Sequence, residues 1–157
     1  GTVSWVAPTA LAILAYRTWR RQSPRIDAGI NMLLDRACLR GGWNAGNSVV
    51  FGVELDPHPD FTAMAALALR HSRFHRGEII ERSLNYLVTR LSAATSPYSL
   101  AWAVAALSAY GHQGADRLRS RLKACLLPQI AVLPARTLAL AALGVEIPTF
   151  TYSEAVR

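Results

Sequence analysis

Four stretches of the chain can be laid over one another: PTALAILAY from Pro8, DFTAMAALAL from Asp60, YSLAWAVAAL from Tyr98 and ARTLALAAL from Ala135. Thr9, Thr62, Leu100 and Arg136 occupy equivalent places, and the first spacing is the longest. Each copy is an Ala/Leu run with almost no polar face, introduced by a proline: Pro8, Pro59, Pro97 or Pro134. Proline suits a helix start because the amide it lacks would be unpaired in the first turn anyway. Recurrence of one supersecondary unit constrains the fold more than any single motif, because such a unit buries its apolar face only by stacking on its neighbours.

Between these copies lie segments of another kind, RIDAGINMLLDRACL, EIIERSLNYLVTRL and ADRLRSRLKACLL. Their apolar residues recur every three or four positions, as in Ile26, Ile30, Leu33 and Leu34, or Leu118, Leu122, Cys125 and Leu126. That spacing predicts amphipathic surface helices. The unit is then a hairpin of one buried inner helix and one outer helix, with four inner and three outer helices in all. Gly111 and Gly144 are expected to end inner helices, and Gly41 with Gly42 to end the outer helix closing near Leu39. The longest irregular stretch is Arg40 to Pro59, and long ordered loops often line sites. Within it SVVF has strand propensity but no evident partner strand, so no sheet is expected. The tail VEIPTFTYSEAVR reads as irregular and partly frayed.

A chain of 157 residues with 52% hydrophobic content is long enough for one domain with a real core, which excludes a disordered reading. No run reaches the roughly 18 uncharged apolar residues of a membrane span. The chain opens on Gly1 without a charged segment followed by an apolar one, so no secretory signal is read and a trimmed or excised piece is expected. The net charge of +7 comes from basic residues that are all arginine except Lys123. They are spread over successive helices without the aromatic interleaving of nucleic-acid modules, and are expected to form a solvated rim. Cys38 and Cys125 fall on predicted helix faces with no CxxC pair, which fits buried free thiols and a reducing cytoplasm, with a peripheral membrane location as the alternative.

The repeats, with GGWNAGN and PDFTAMAALAL in the first loop and helix, resemble the prenyltransferase and squalene-oxidase repeat family, over roughly Trp5 to Gly144. Members build an α/α toroid whose inner helices surround a cavity, six hairpins making a full ring. The resemblance implies an all-α, incomplete α/α toroid of about seven helices, with units starting near residues 5, 58, 97 and 134. It also implies an apolar ligand, with a polyprenyl chain as one candidate, and either self-association or a remainder of the ring supplied elsewhere.

Class II terpene cyclases of that family protonate an alkene with the middle residue of an Asp-x-Asp-Asp motif followed by Thr-Ala. Laid on HPDFTA, the first Asp becomes His58, the middle one is Asp60 and the last becomes Phe61. Protonating an unactivated alkene takes a carboxylic acid whose conjugate base is stabilised by partners in a dry pocket. His58 can donate to Asp60 as an imidazolium; Phe61 cannot. The competing reading is a helix cap, in which Asp60 accepts backbone N–H bonds and complements the positive end of the helix.

Protein prenyltransferase β subunits of the same family use zinc held by Asp, Cys and His, but no Asp-x-Cys follows Cys38 here. His71 and His75 have the i, i+4 spacing that places two imidazoles on one helix face, yet no third ligand is evident, so no metal and no cofactor are expected. Trp43, Asn44, Phe51, Phe61 and Trp102 are the candidate binding residues; aromatic faces can line an apolar cavity or stabilise a cation. The sequence thus points to a non-catalytic binding or scaffold module. The alternatives are a cyclase fragment using Asp60 and His58, or an interaction module whose groove takes a partner helix. Neither a nucleic-acid partner nor an integral membrane segment is expected.

Overall fold

In the computed structural model, residues 5–19, 23–93 and 96–146 are described. Seven α-helices are found among them: α1 (Val6–Thr18), α2 (Pro24–Asp35), α3 (Pro59–Leu69), α4 (Glu78–Leu91), α5 (Pro97–Ala109), α6 (Ala115–Leu126) and α7 (Ala135–Glu146). A two-stranded antiparallel hairpin, β1 (Val49–Val50) and β2 (Val53–Glu54), lies between α2 and α3, and a 3-10 turn follows α6. The described residues are all-α apart from this hairpin.

Prolines and hydroxyls start the helices as the sequence suggests. Pro24, Pro59 and Pro97 stand in the first turns of α2, α3 and α5. The Ser23 side chain accepts from the Arg25 amide at 3.3 Å, and Ser96 does the same for Ser99 at 3.4 Å. At the other end of α5, Gly111 adopts φ +63°, and the amides of Gly111 and His112 reach back to the carbonyls of Ser108 and Leu107. This Schellman closure needs a residue at ease in the left-handed region.

The four Ala/Leu helices pack in sequence, α1 on α3, α3 on α5 and α5 on α7. Each outer helix lies on the inner helix before it and touches the one after it, as α4 does with α3 and α5. Small side chains let the inner helices approach closely: every residue of α3 from Thr62 to Leu69 is buried. The outer helices contribute only their apolar stripes, Ile80, Leu84, Leu87 and Leu91 from α4, and Leu118 and Leu122 from α6. Burying one such Leu or Ile side chain contributes about 2 kcal/mol.

Several expectations are corrected. Val50 and Val49 do find strand partners, Val53 and Glu54, across a two-residue turn of Phe51 (φ +50°) and Gly52 (φ +78°). Gly144 does not end an inner helix; α7 runs through it, and a Cβ there would meet Leu122 Cδ2 at 3.2 Å, so its role is close packing of α7 on α6. The outer helix expected to close near Leu39 stops at Asp35, and Gly41 and Gly42 shape the turn beyond it. Cys38 is buried in that turn and not on a helix face. Val145 and Glu146 still belong to α7, while the rest of the expected frayed tail, 147–157, lies outside the described residues.

The arginines are not merely a solvated rim. Arg17 Nη1 donates to Ala68 O at 2.6 Å, and Arg70 Nε donates to Ala109 O at 2.6 Å. Arg119 reaches Gly144 O through Nε at 3.2 Å and Ser108 Oγ through Nη2 at 2.8 Å. Three guanidiniums thus sit on carbonyls near the C-terminal ends of α3, α5 and α7, where unpaired acceptors and the negative end of the helix dipole favour a cation. Because Arg17 lies in the last turn of α1 and Arg70 follows α3, these bonds also show that α1, α3 and α5 end side by side.

Candidate functional site

The side chains nominated from sequence separate into two places. Near the N-terminal ends of the inner helices, the GGWNAGN turn ties four helices together. Gly41 and Gly42 have φ of +96° and +86°. The Gly42 amide donates to Ser83 Oγ of α4 at 2.7 Å, and the Trp43 amide to Thr62 Oγ1 of α3 at 2.9 Å. Trp43 is wholly buried, and its Nε1 donates to Leu33 O near the end of α2 at 2.6 Å. Asn44 spends its side chain within the turn, Oδ1 accepting from Gly46 N at 2.8 Å and Nδ2 donating to Asn47 O at 2.9 Å. Val6 N of α1 donates to Ala45 O. Trp43 and Asn44 therefore hold the turn in shape.

Asp60 lies just beyond this turn. The N-cap of α3 is His58, whose side chain makes no cap bond; Pro59 and Asp60 follow it into the first turn. Asp60 is thus not the cap, although it remains in the turn where a negative charge is favoured. Its Oδ1 is buried without a hydrogen-bond partner, and Oδ2 is 3.9 Å from His58 Nδ1, too far for a hydrogen bond. His58 packs instead on Phe61, ring centroids 5.2 Å apart. Phe51 stands fully exposed at the tip of the β1–β2 hairpin.

The second place is a cavity of about 350 Å³ bounded by all four inner helices: Leu11 and Leu14 of α1, Leu67 of α3, Val104 and Ala105 of α5, and Leu140 and Leu143 of α7. Trp102 lines it, and its Nε1 is buried without a partner. Thr18, Ser108 and Gly144 mark its end toward the C-termini of the inner helices. Among the described residues, no ionisable side chain is in the wall, and Asp60 is not part of it. Of the nominated residues, only Trp102 reaches this cavity. The aliphatic liners carry no motif; their signal was the missing polar face of the Ala/Leu helices, which does not distinguish a cavity wall from a packed core.

At that same end, His71 and His75 lie in the turn after α3, so the helical spacing expected to align them does not apply. His75 Nδ1 is 2.8 Å from Ser72 O. His71 is exposed; partial desolvation of its ring and the nearby Arg17, Arg70 and His75 charges hold the imidazole below its usual pKa. Tyr110 donates to Ala66 O at 2.8 Å beneath the Arg70 guanidinium, and burial pushes its phenol well up. Among the described residues, no group of three or more His, Cys, Asp or Glu is placed to hold a metal ion, and no helix is long and apolar enough to cross a membrane.

Comparison of the chain with protein-family models, with curated proteins and with solved structures returns no match.

Proposed function

We propose that the chain is a non-catalytic binding module that takes a neutral, apolar, isoprenoid-like molecule between its inner helices, as part of an α/α toroid of the prenyltransferase-repeat kind. The observation that carries this reading is the composition of the cavity wall: aliphatic side chains from four successive inner helices, one tryptophan and, among the described residues, no ionisable group. A volume of about 350 Å³ lies within the range of small-molecule pockets, roughly 300–1,000 Å³. A wall bounded by both α1 and α7 supports a curved row of inner helices, the geometry a toroid requires. The isoprenoid character rests on the sequence resemblance. Titration with farnesol and dodecanol, followed by calorimetry, tests the reading: saturable binding that Ala105→Phe abolishes by filling the cavity supports it, and absence of binding to both sinks it.

Asp60 favours a second reading. A buried carboxylate oxygen without a partner is costly, and such groups are often retained for chemistry. A cyclase fragment would use Asp60 as proton donor with His58 beside it, the rest of the ring being supplied elsewhere. Incubation with squalene and shorter polyprenes discriminates: cyclised product from the native chain and none from Asp60→Asn assigns catalysis, and no product from either leaves the binding module.

A further inference from the structure

We infer that the β1–β2 hairpin is a dimerisation arm: it seats Phe51 in the groove between α1 and α2 of a second copy and receives that copy's hairpin in return. The φ of Phe51, +50°, is one that a bulky residue adopts only at a cost, in a turn position that Asn or Asp fills readily. Its side chain is nevertheless fully exposed, and Val49, Val50 and Val53 beside it are exposed as well. Strain with no burial in return does nothing for the folding of the chain itself. A strained, apolar and exposed tip is the mark of a contact outside it.

The groove runs along the α1–α2 hairpin and has a volume of about 500 Å³. Trp5, Pro8, Ala12 and Tyr16 form one wall, and Ile26 and Met32 of α2 the other, a lining suited to an aromatic ring. None of these residues lines the cavity between the inner helices, so the inference does not rest on the reading of that cavity as a ligand site.

Two observations select a second copy as the occupant. The first is charge. In a chain of net charge +7, the stretch from Gly41 to Leu69 carries Glu54, Asp56 and Asp60 and no Lys or Arg. Among the described residues, the one charged side chain lining the groove is Arg25, which is exposed. Asp27 of the same helix does not line it and acts on Arg17 instead. Glu54 accepts from the Leu39 amide at 3.1 Å, which leaves the exposed Asp56 as the acid open to Arg25. Of the neighbouring arginines, Arg36 and Arg82 are paired with Asp35 and Glu78, while Arg40 stands beside Leu39. The second observation is that arm and groove adjoin. Val6 N donates to Ala45 O at 2.9 Å, and a Cβ on Gly46 would meet the Trp5 indole at 3.7 Å. A projection next to a matching groove is self-complementary, as a two-fold pair requires. An aromatic side chain buries about 150–250 Å². Two copies of Phe51, with the valines and the groove walls they cover, reach on the order of 1,200 Å², the lower bound of a stable specific interface.

Sedimentation of the full 157-residue chain over a wide range of concentration should show a monomer passing to a dimer. Phe51→Asn, which gives the turn its favoured residue, should weaken dimerisation at least tenfold and raise the melting temperature in dilute solution, where both chains are monomeric. Ala12→Glu, at an exposed position of the groove, should weaken it as much with the helical circular dichroism retained. With p-benzoylphenylalanine in place of Phe51, irradiation should join isotopically distinct copies through α1 or α2. A monomer at every concentration, a lower melting temperature for Phe51→Asn, or crosslinks outside α1 and α2 overturns the proposal. So does a dimer that survives Phe51→Asn, which would place the contact at the open ends of the helix row. A chain that stays monomeric but cosediments with phosphatidylcholine vesicles only when Phe51 is present overturns it too, assigning the arm to lipid. Farnesol titration reads the other cavity, so this inference and the proposed function fall separately.

Discussion

Arg70, the residue that follows α3, donates from Nε to the carbonyl of Ala109 at the end of α5 at 2.6 Å, while its guanidinium covers the Tyr110 ring at 5.3 Å. One side chain thus joins two successive inner helices and supplies a cation where α5 has unpaired acceptors. A hydrogen bond from a charged group contributes roughly 1.5–3 kcal/mol, more than an exposed surface charge. Arg70→Ala is therefore expected to cost about 2 kcal/mol in urea unfolding. Arg73→Ala, which removes an exposed arginine resting on Phe74, should stay within about 0.5 kcal/mol. Equal effects would show that the arginines of this end act only as a diffuse charge.

Two of the positive-φ glycines of the α2–α3 connection, Gly42 and Gly52, separate conformation from space. Gly42 has φ +86°, and an added Cβ would lie 2.7 Å from Pro57 Cβ and 2.8 Å from Thr62 Oγ1. Gly52 has φ +78° with nothing within 4 Å. The left-handed region alone costs an L-residue about 1–2 kcal/mol. Gly52→Ala should cost about 1 kcal/mol, and Gly42→Ala more than about 3 kcal/mol, because it also breaks the Thr62 and Ser83 contacts of the Trp43 turn. Thermal melts of the two variants check the difference.

How far the sequence could be read divides along the same line. The hairpin units were legible because inner helices lack a polar face and outer helices, such as Glu78–Leu91, have a clear apolar stripe. Helix ends were less so: Gly111 closes α5 in the manner its position suggests, whereas Gly144 is present for the contact with Leu122, and a glycine in sequence does not say which. The Phe51–Gly52 turn escaped notice because phenylalanine is a poor residue for φ +50°. At the site, Trp43 drew attention by its motif and proved to be a strut, while Leu67 and Leu140 line the cavity without any motif. Arg17 and Arg119 looked like surface charges because their carbonyl partners are distant in sequence.

Acid should destabilise the fold through His71. His71 is exposed, and its folded pKa is held below the usual value first by partial desolvation of the ring and then by Arg17, Arg70 and His75. As pH falls below about 6.5, the unfolded chain takes up the proton before the folded one does. The stability contributed by neutral His71 is present above that pH and is lost as pH falls toward the depressed folded pKa. His71→Gln should flatten this limb of the stability profile between pH 7 and 5, measured by urea midpoints in steps of half a unit. A profile identical to that of the native chain would place the acid sensitivity elsewhere.

The start of α3 offers the sharpest test of what Asp60 does. His58 is the N-cap and contributes no side-chain bond, so the helix begins with its first amides unserved by any cap. Asp60 adds only the favourable position of a negative charge in the first turn, worth about 0.3–1 kcal/mol, and its buried Oδ1 lacks a partner. Placing a true cap at position 58 should therefore stabilise the chain: His58→Ser is expected to raise stability by about 0.5–1 kcal/mol. Asp60→Ala should cost less than about 1 kcal/mol, because no cap bond is lost and an unsatisfied buried oxygen is removed. If instead Asp60→Ala costs about 2 kcal/mol or more while His58→Ser gains nothing, then Asp60 does serve the helix amides in solution. The first turn of α3 would then differ from the arrangement in which His58 is the N-cap and Asp60 Oδ1 has no hydrogen-bond partner.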